Sequence, residues 1–419
     1  MPLLLTLLLA CSTDPEPLTC AQGELLDGDA CVPEACGTGT WGDLQTDGDT
    51  IYVDASAEDG GDGSEESPFT LIQEGLDAQG KSGMVAVAAG TYVENLQMTR
   101  DHSGVHLAGR CRELVVIDAS EGSEDEMLEG SGIFLNGYLS TQWTVSGVTV
   151  TGAPWGGITQ AKGMLTVERI ASTNNKFGIE EYSGAVSATD CILLGNRTAG
   201  GYLSASTATL NGVSILETGP ANGGEGGYGL FVSEDSELTA TDCTLTDNDY
   251  MGLWVQDSFL DASGCTLQGN HVMGLLLLRS VGTIDEVRIL GTLPGDDGSY
   301  GAGVQVHEST LQATNCVLED NAHMGLACVE GTLDATECTI QGNRMAGLVL
   351  TSASTATVQN VNVLETRFGP DGYFGRGFSV ERGSTLDATD CLVQDNDEVG
   401  LNVQSSVLVA ESCTIQGNR

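Results

Sequence analysis

The block ATDCTLTDNDYMGL at residues 240–253 returns 22 residues later as ASGCTLQGNHVMGL. It comes back as ATNCVLEDNAHMGL from Ala313, ATECTIQGNRMAGL from Ala335 and ATDCLVQDNDEVGL from Ala388. Repetition at so short a period constrains a fold more than any other feature, because each unit can bury its apolar face only against its neighbours. The chain is therefore a stacked array, and one long domain suits its 419 residues.

Following one position through the copies gives the ladder Val148, Ile170, Cys191, Val213, Cys243, Cys265, Val287, Cys316, Cys338, Val361, Cys391 and Cys413. Two short steps and one long one recur, so rungs of ~22 residues group into a three-rung super-repeat of ~74 residues. Within a rung, Leu238, Ala240 and Cys243, then Leu245, then Leu253 and Val255 mark short alternating runs between turns, which is a strand signature. Three short strands per rung predict an all-β parallel β-helix, a solenoid with strands stacked at ~4.8 Å.

Stacking assigns a task to each repeated residue. The inward cysteines Cys191, Cys243, Cys265, Cys316, Cys338, Cys391 and Cys413 fill a narrow core, since Cys is small and readily buried. Adjacent ones are expected to stay reduced, because parallel side chains hold their Cβ atoms farther apart than the ~3.8 Å a disulfide favours. The asparagines Asn175, Asn196, Asn248, Asn270, Asn321, Asn343, Asn396 and Asn418 mark one corner of the short rungs. They are expected to take a left-handed conformation there and to hydrogen-bond along their own column. The long rungs replace this Asn with Gly-rich insertions beginning at Thr218, Thr292 and Arg367.

A formal net charge of −44, from 59 acidic and 15 basic residues, makes nucleic acid and anionic lipid headgroups poor partners. Cations, neutral sugars and basic proteins remain open. The apolar run MPLLLTLLLAC is too short to span a bilayer and reads as a signal segment over residues 1–10, followed by a Cys-containing tether over 11–50. Cys20, Cys31, Cys36 and Cys111 lie outside the ladder, and export would let them form disulfides. Four cysteines allow three connectivities; the favoured one closes a small loop with Cys20–Cys31 and pins the tether with Cys36–Cys111.

These patterns resemble known families. Leu8-Leu9-Ala10-Cys11 resembles the bacterial lipoprotein signal, which implies lipidation of Cys11 and membrane contact through that anchor alone. The asparagine column, the inward aliphatic stack and the 22-residue rung resemble the pectate-lyase-like superfamily over about residues 139–419, which implies a right-handed β-helix. IYVDASAEDGGDGSEESPFTLIQEGL, VAVAAGTYVENLQM and GVHLAGR resemble the N-terminal region that opens many exported bacterial β-helices, within a stretch taken here as residues 51–138. Ser67-Pro68 there is expected to start a short capping helix with Phe69, Ile72 and Leu76 on one face. The array stops in mid-rung at Arg419, so it is expected to be incomplete at its C-terminus.

The superfamily resemblance implies polysaccharide lyases and hydrolases that hold calcium with clustered carboxylates and take a proton with Arg or Lys. Here Arg197, His271, Arg344 and Arg419 are copies of one position, expected to pair across rungs with residues such as Asp249 and Asp397. No residue is assigned to catalysis, and Lys176 beside Arg197 fits no pairing. Calcium is the one cofactor to weigh, but Asp190, Asp242 and Asp390 recur only every three rungs, ~14 Å apart, too far for one ion. No metal site is assigned. Trp155, Tyr228, Tyr300 and Phe374 are expected to line the edge carrying the inserted loops, where rings can stack on sugars. The expected role is a non-catalytic cell-surface or secreted scaffold binding polysaccharide or surface glycan there. The alternative is an extracellular lyase or glycoside hydrolase, in which Lys162, Asp296, Asp297, His307 and Arg376, which break the repeat, would converge.

Overall fold

The computed structural model describes residues 36–419 except 125, 221–223, 225, 296, 297, 299 and 371, together with residues 20, 24–27 and 30–33. The expected signal segment, Cys11, Asp296 and Asp297 lie outside the described residues. Each rung gives one strand to each of three parallel sheets, which reach 15, 14 and 13 strands. Phe259–Ser263 belongs to the first sheet, Thr266–Gln268 to the second and Met273–Leu278 to the third. Like residues stack on like: Leu238 pairs with Leu260, Leu245 with Leu267 and Leu253 with Leu275. The inward Leu, Val, Ile, Ala and Cys residues form one continuous core from Val53 to Val393.

All three corners of a rung carry a residue at positive φ, the third at Asp257 (49°) and its copies Arg279 and Glu308. Asp242 (52°) precedes the ladder residue Cys243, and Asp247 (55°) precedes Asn248. The left-handed conformation expected of the ladder asparagines belongs instead to the residue before each, such as Asn174, Gly195, Asp320 and Gly342. Gly, Asn and Asp bear that conformation most easily, which leaves the ladder asparagine free to turn inward.

Once inward, the asparagine clamps the preceding rung. Asn248 Oδ1 accepts from Thr218 N at 3.1 Å, and Asn270 Oδ1 accepts from Asn248 N at 3.1 Å. Asn270 Nδ2 donates to Leu245 O at 2.8 Å. Thr218, Thr292 and Thr366 take the asparagine's place in the long rungs, so the column reads Asn-Asn-Thr. The hydroxyls of Thr218 and Thr366 are buried without a partner.

The thiol column works the same way at the neighbouring corner. Cys265 Sγ donates to Ser263 O at 3.3 Å and accepts from Cys243 N at 3.4 Å. Cys191, Cys243, Cys265, Cys316, Cys338, Cys391 and Cys413 are all free, as is Cys328. Burial pushes the thiols of Cys191 and Cys328 up, and that of Cys391 up to about 11. Disulfides join Cys20 to Cys31 and Cys36 to Cys111.

A third column went unread in the sequence. Ser206 N donates to Ser236 Oγ, Ser236 N to Ser258 Oγ, Ser258 N to Ser280 Oγ and Ser280 N to Ser309 Oγ, all within 3.2 Å. Gly184 and Gly331 take the serine's place on two rungs, yet Gly331 N still donates forward, to Ser354 Oγ at 3.2 Å.

The helix α1 at the N-terminal end spans Ile72–Gln79, starting later than Ser67-Pro68 suggested. Phe69 is held extended instead, its N–H donating to Tyr52 O and its carbonyl accepting from Asp54 N. Glu94 caps the helix, its carboxylate accepting from Ile72 N at 2.7 Å and Gln73 N at 3.0 Å. Ile72 and Leu76 are buried against the core.

Candidate functional site on the outer face of the third sheet

In the third sheet one outward column runs Gln97, Phe134, Thr159, Glu180, Tyr202, Phe231, Trp254, Leu276. From Tyr202 onward the position is the second after a corner glycine, as in Gly229-Leu230-Phe231 and Gly252-Leu253-Trp254. Tyr202, Phe231 and Trp254 are half-exposed and touch in order, with centroids 5.4 Å and 4.5 Å apart. Phe177 extends the row, 5.9 Å from Tyr202, and Trp155 lies 6.3 Å from Phe177. Tyr228 sits beside the row, 5.6 Å from Phe231 and 5.4 Å from Trp254, with Tyr250 against its edge. Met251, Val272, Met273 and Leu276 form a small apolar cluster beneath Tyr228 and Trp254. Trp254 Nε1 is buried without an acceptor.

At the other end of the row Glu180 is fully buried although it stands in the outward column. Its carboxylate accepts from Trp155 Nε1 at 2.8 Å, Tyr182 Oη at 2.7 Å and Thr159 Oγ1 at 3.3 Å. Burial raises its pKa against the pull of these donors and of Lys176. The chemistry is structural: one carboxylate fixes Trp155, Tyr182 and Thr159 together. Lys176, which the sequence left without an account, lies 3.7 Å from the Trp155 ring centroid, a close cation–π contact. Arg197 donates to Ala153 O at 3.3 Å, and Asp397 accepts from Phe368 N. Cross-rung ion pairs form instead at Arg279–Asp257, 2.7 Å, and Arg367–Asp320, 3.4 Å.

Of the rings expected along the loop edge, Trp155 and Tyr228 join this cluster. Tyr300 is 55% exposed near the second inserted loop, and Phe374 stacks under the Arg376 guanidinium at 4.7 Å. Neither has a ring contact with the row among the described residues. Phe177, Tyr202, Phe231 and Trp254 were missed; for the last three the signal was an aromatic at the outward position just past the corner on successive rungs. Lys162, His307 and Arg376 lie on the third-sheet strands Gly156–Lys162, Ala302–His307 and Arg376–Glu381, many rungs apart, and do not converge. Arg376 is held by Glu381 and Glu398, each at 3.0 Å. Among the described residues the one grouping within reach of a metal is Cys36, Cys111 and Glu113, and the disulfide takes both thiols.

The family model described as right handed beta helix region matches residues 131–287 and 273–419. No curated protein sequence matches this chain. Among solved structures, it is similar to the catalytic unit of a thermostable GH87 alpha-1,3-glucanase from Streptomyces thermodiastaticus strain HF3-3, at 12% identity and TM-score 0.52. That alignment covers 90% of this chain and 70% of the glucanase unit, and shows a shared fold. The periplasmic alginate epimerase AlgG aligns at 10% identity and TM-score 0.49, over 72% of this chain and 83% of the epimerase. The A-module of the Azotobacter vinelandii mannuronan C-5 epimerase AlgE6 aligns at 13% identity and TM-score 0.41, over 83% of this chain and 93% of the module. With residues 131–419 matched, the chain belongs to the right-handed β-helix family.

Proposed function

We propose that this protein is an exported, non-catalytic scaffold that binds neutral glycan along the aromatic row of the third sheet, not along the loop edge. Support comes from the unbroken order Trp155, Phe177, Tyr202, Phe231, Trp254, one ring per rung over five successive rungs. A sugar presents an apolar C–H face that stacks on aromatic rings, and a continuous row suits an extended polymer. Half-exposed rings in contact with one another form an apolar patch of the kind that marks a binding surface. The net charge of −44 disfavours polyanionic chains. Export accords with the Cys20–Cys31 and Cys36–Cys111 disulfides, and a lipid on Cys11 would be the sole membrane attachment.

Affinity electrophoresis through gels holding mixed-linkage β-glucan, laminarin, arabinoxylan, galactomannan or dextran tests the proposal. At least one polymer should retard the parent chain, and Phe231→Ala should abolish that retardation while an exposed change on the first sheet, Thr239→Ala, leaves it intact. Equal retardation of all three proteins, or of none, rules the row out as the binding surface.

A further inference from the structure

We propose that the cleft where this face begins is a subsite for the end of a neutral glycan chain; the inference rests on the aromatic row being the polymer-binding surface. Two hollows of about 520 and 600 Å³ adjoin there and share Gln97 and Thr99 of the strand Leu96–Thr99. Gln97 and Phe134 belong to the outward column that carries Tyr202, Phe231 and Trp254. Six strand spacings, about 29 Å, separate Gln97 from Trp254 along one straight line. A polymer lying along Tyr202, Phe231 and Trp254 is therefore aimed at this cleft.

The face stops at the cleft. Leu96–Thr99 is the edge strand of the third sheet, and α1 stands beyond it. Gln73 of α1 closes that edge: its Nε2 donates to Gln97 O at 3.3 Å and its Oε1 accepts from Gln97 N at 2.8 Å, as a further strand would. A chain entering along the column meets a helix, so its terminus fits better than its interior.

The lining suits a hydroxylated ligand. The side-chain amides of Gln97 and Asn136 line the cleft with no intramolecular partner among the described residues, and an amide can both donate to and accept from a hydroxyl. Tyr138 stands at the wall 61% exposed, yet its hydroxyl is fixed by Arg100 Nη1 at 2.9 Å, which presents a preordered ring. Asp77 and Asp101 in the larger hollow repel an acidic terminus. His102 is no free base there. Its Nδ1 accepts from Thr99 N at 3.0 Å and its Nε2 lies 3.5 Å from Asp77 Oδ1, so both ring nitrogens are engaged.

The test uses the full chain and whichever polymer of the five named above it binds, before and after partial acid hydrolysis that multiplies chain ends at constant mass. The number of tight sites per gram, measured by calorimetric titration, should rise with the ends. Tyr138→Ala and Gln97→Ala should weaken that class about tenfold and keep the looser, length-dependent binding of the row. Capacity that follows mass alone, or unchanged tight binding in both variants, overturns the end subsite. In that case loss of binding in Phe231→Ala would still uphold the row. Failure of the parent to bind any of the polymers overturns both.

Discussion

The indole of Trp254 lies over the Phe231 ring of the preceding rung, with centroids 4.5 Å apart and planes inclined by 19°. The stack keeps two large apolar faces together at the surface, but it buries the indole N–H without an acceptor. Shape and polarity therefore pull in opposite directions at this residue.

Trp254→Phe should separate them. It keeps the flat ring and removes the orphaned donor, so unfolding midpoints should match or exceed the parent's, with glycan affinity within about threefold. Trp254→Ala should weaken binding more than about tenfold. If both variants bind like the parent in gel retardation, Trp254 is not a contact.

Glu181 is fully buried in the core, and burial raises its carboxyl from 4.5 to about 9. Between those values the folded protein holds a proton that the unfolded chain has released. Its favourable contribution is complete below 4.5, is lost progressively as pH rises toward 9, and changes no further above that. Glu181→Gln should remove this dependence. Thermal melts of the two proteins should diverge in the variant's favour as pH rises from 5 to 9, and parallel curves would show that the carboxyl does not titrate as described.

The asparagine column makes an asymmetric prediction. Asn321→Ala leaves Thr292 N unpaired and takes one donor from Ile289 O, and should cost about 2 kcal/mol. Thr366→Val, which removes a hydroxyl already unpartnered, should stay within about 0.5 kcal/mol of the parent or stabilise it. Urea unfolding followed at the tryptophans distinguishes the two.

Eight cysteines are free and four are paired among the described residues. Thiol titration of denatured, unreduced protein should therefore find those eight, with a ninth from Cys11 only where it carries no lipid. A count of four or fewer would mean that the ladder thiols oxidise across rungs.

The rungs, their super-repeat and the thiol and asparagine columns were legible because each keeps one residue type at a fixed step. What escaped was spread over several types. The serine column is interrupted by Gly184 and Gly331, which hides its period. The aromatic row draws on Tyr, Phe and Trp, and its members sit at different places: Tyr202, Phe231 and Trp254 follow the corner glycine, while Trp155 and Phe177 precede it. The left-handed position was assigned one residue late because Asn174, Gly195 and Asp247 share the turn-forming character of the asparagines they precede. The start of α1 was misplaced because Tyr52 recruits Phe69 into extended pairing, a contact between segments that no local signal encodes.

In all three polar columns the backbone N–H of one rung is met by a side chain of the next: Asn175 N by Asn196, Ser236 N by Ser258, Cys391 N by Cys413. The columns therefore have a direction. Each rung remains unfinished until its successor arrives, and the last residue laid down always completes structure already in place. A chain emerging from its N-terminus can lock rung by rung behind the exit point. Its assembly would then resemble the closing of a zipper more than the collapse of a globule.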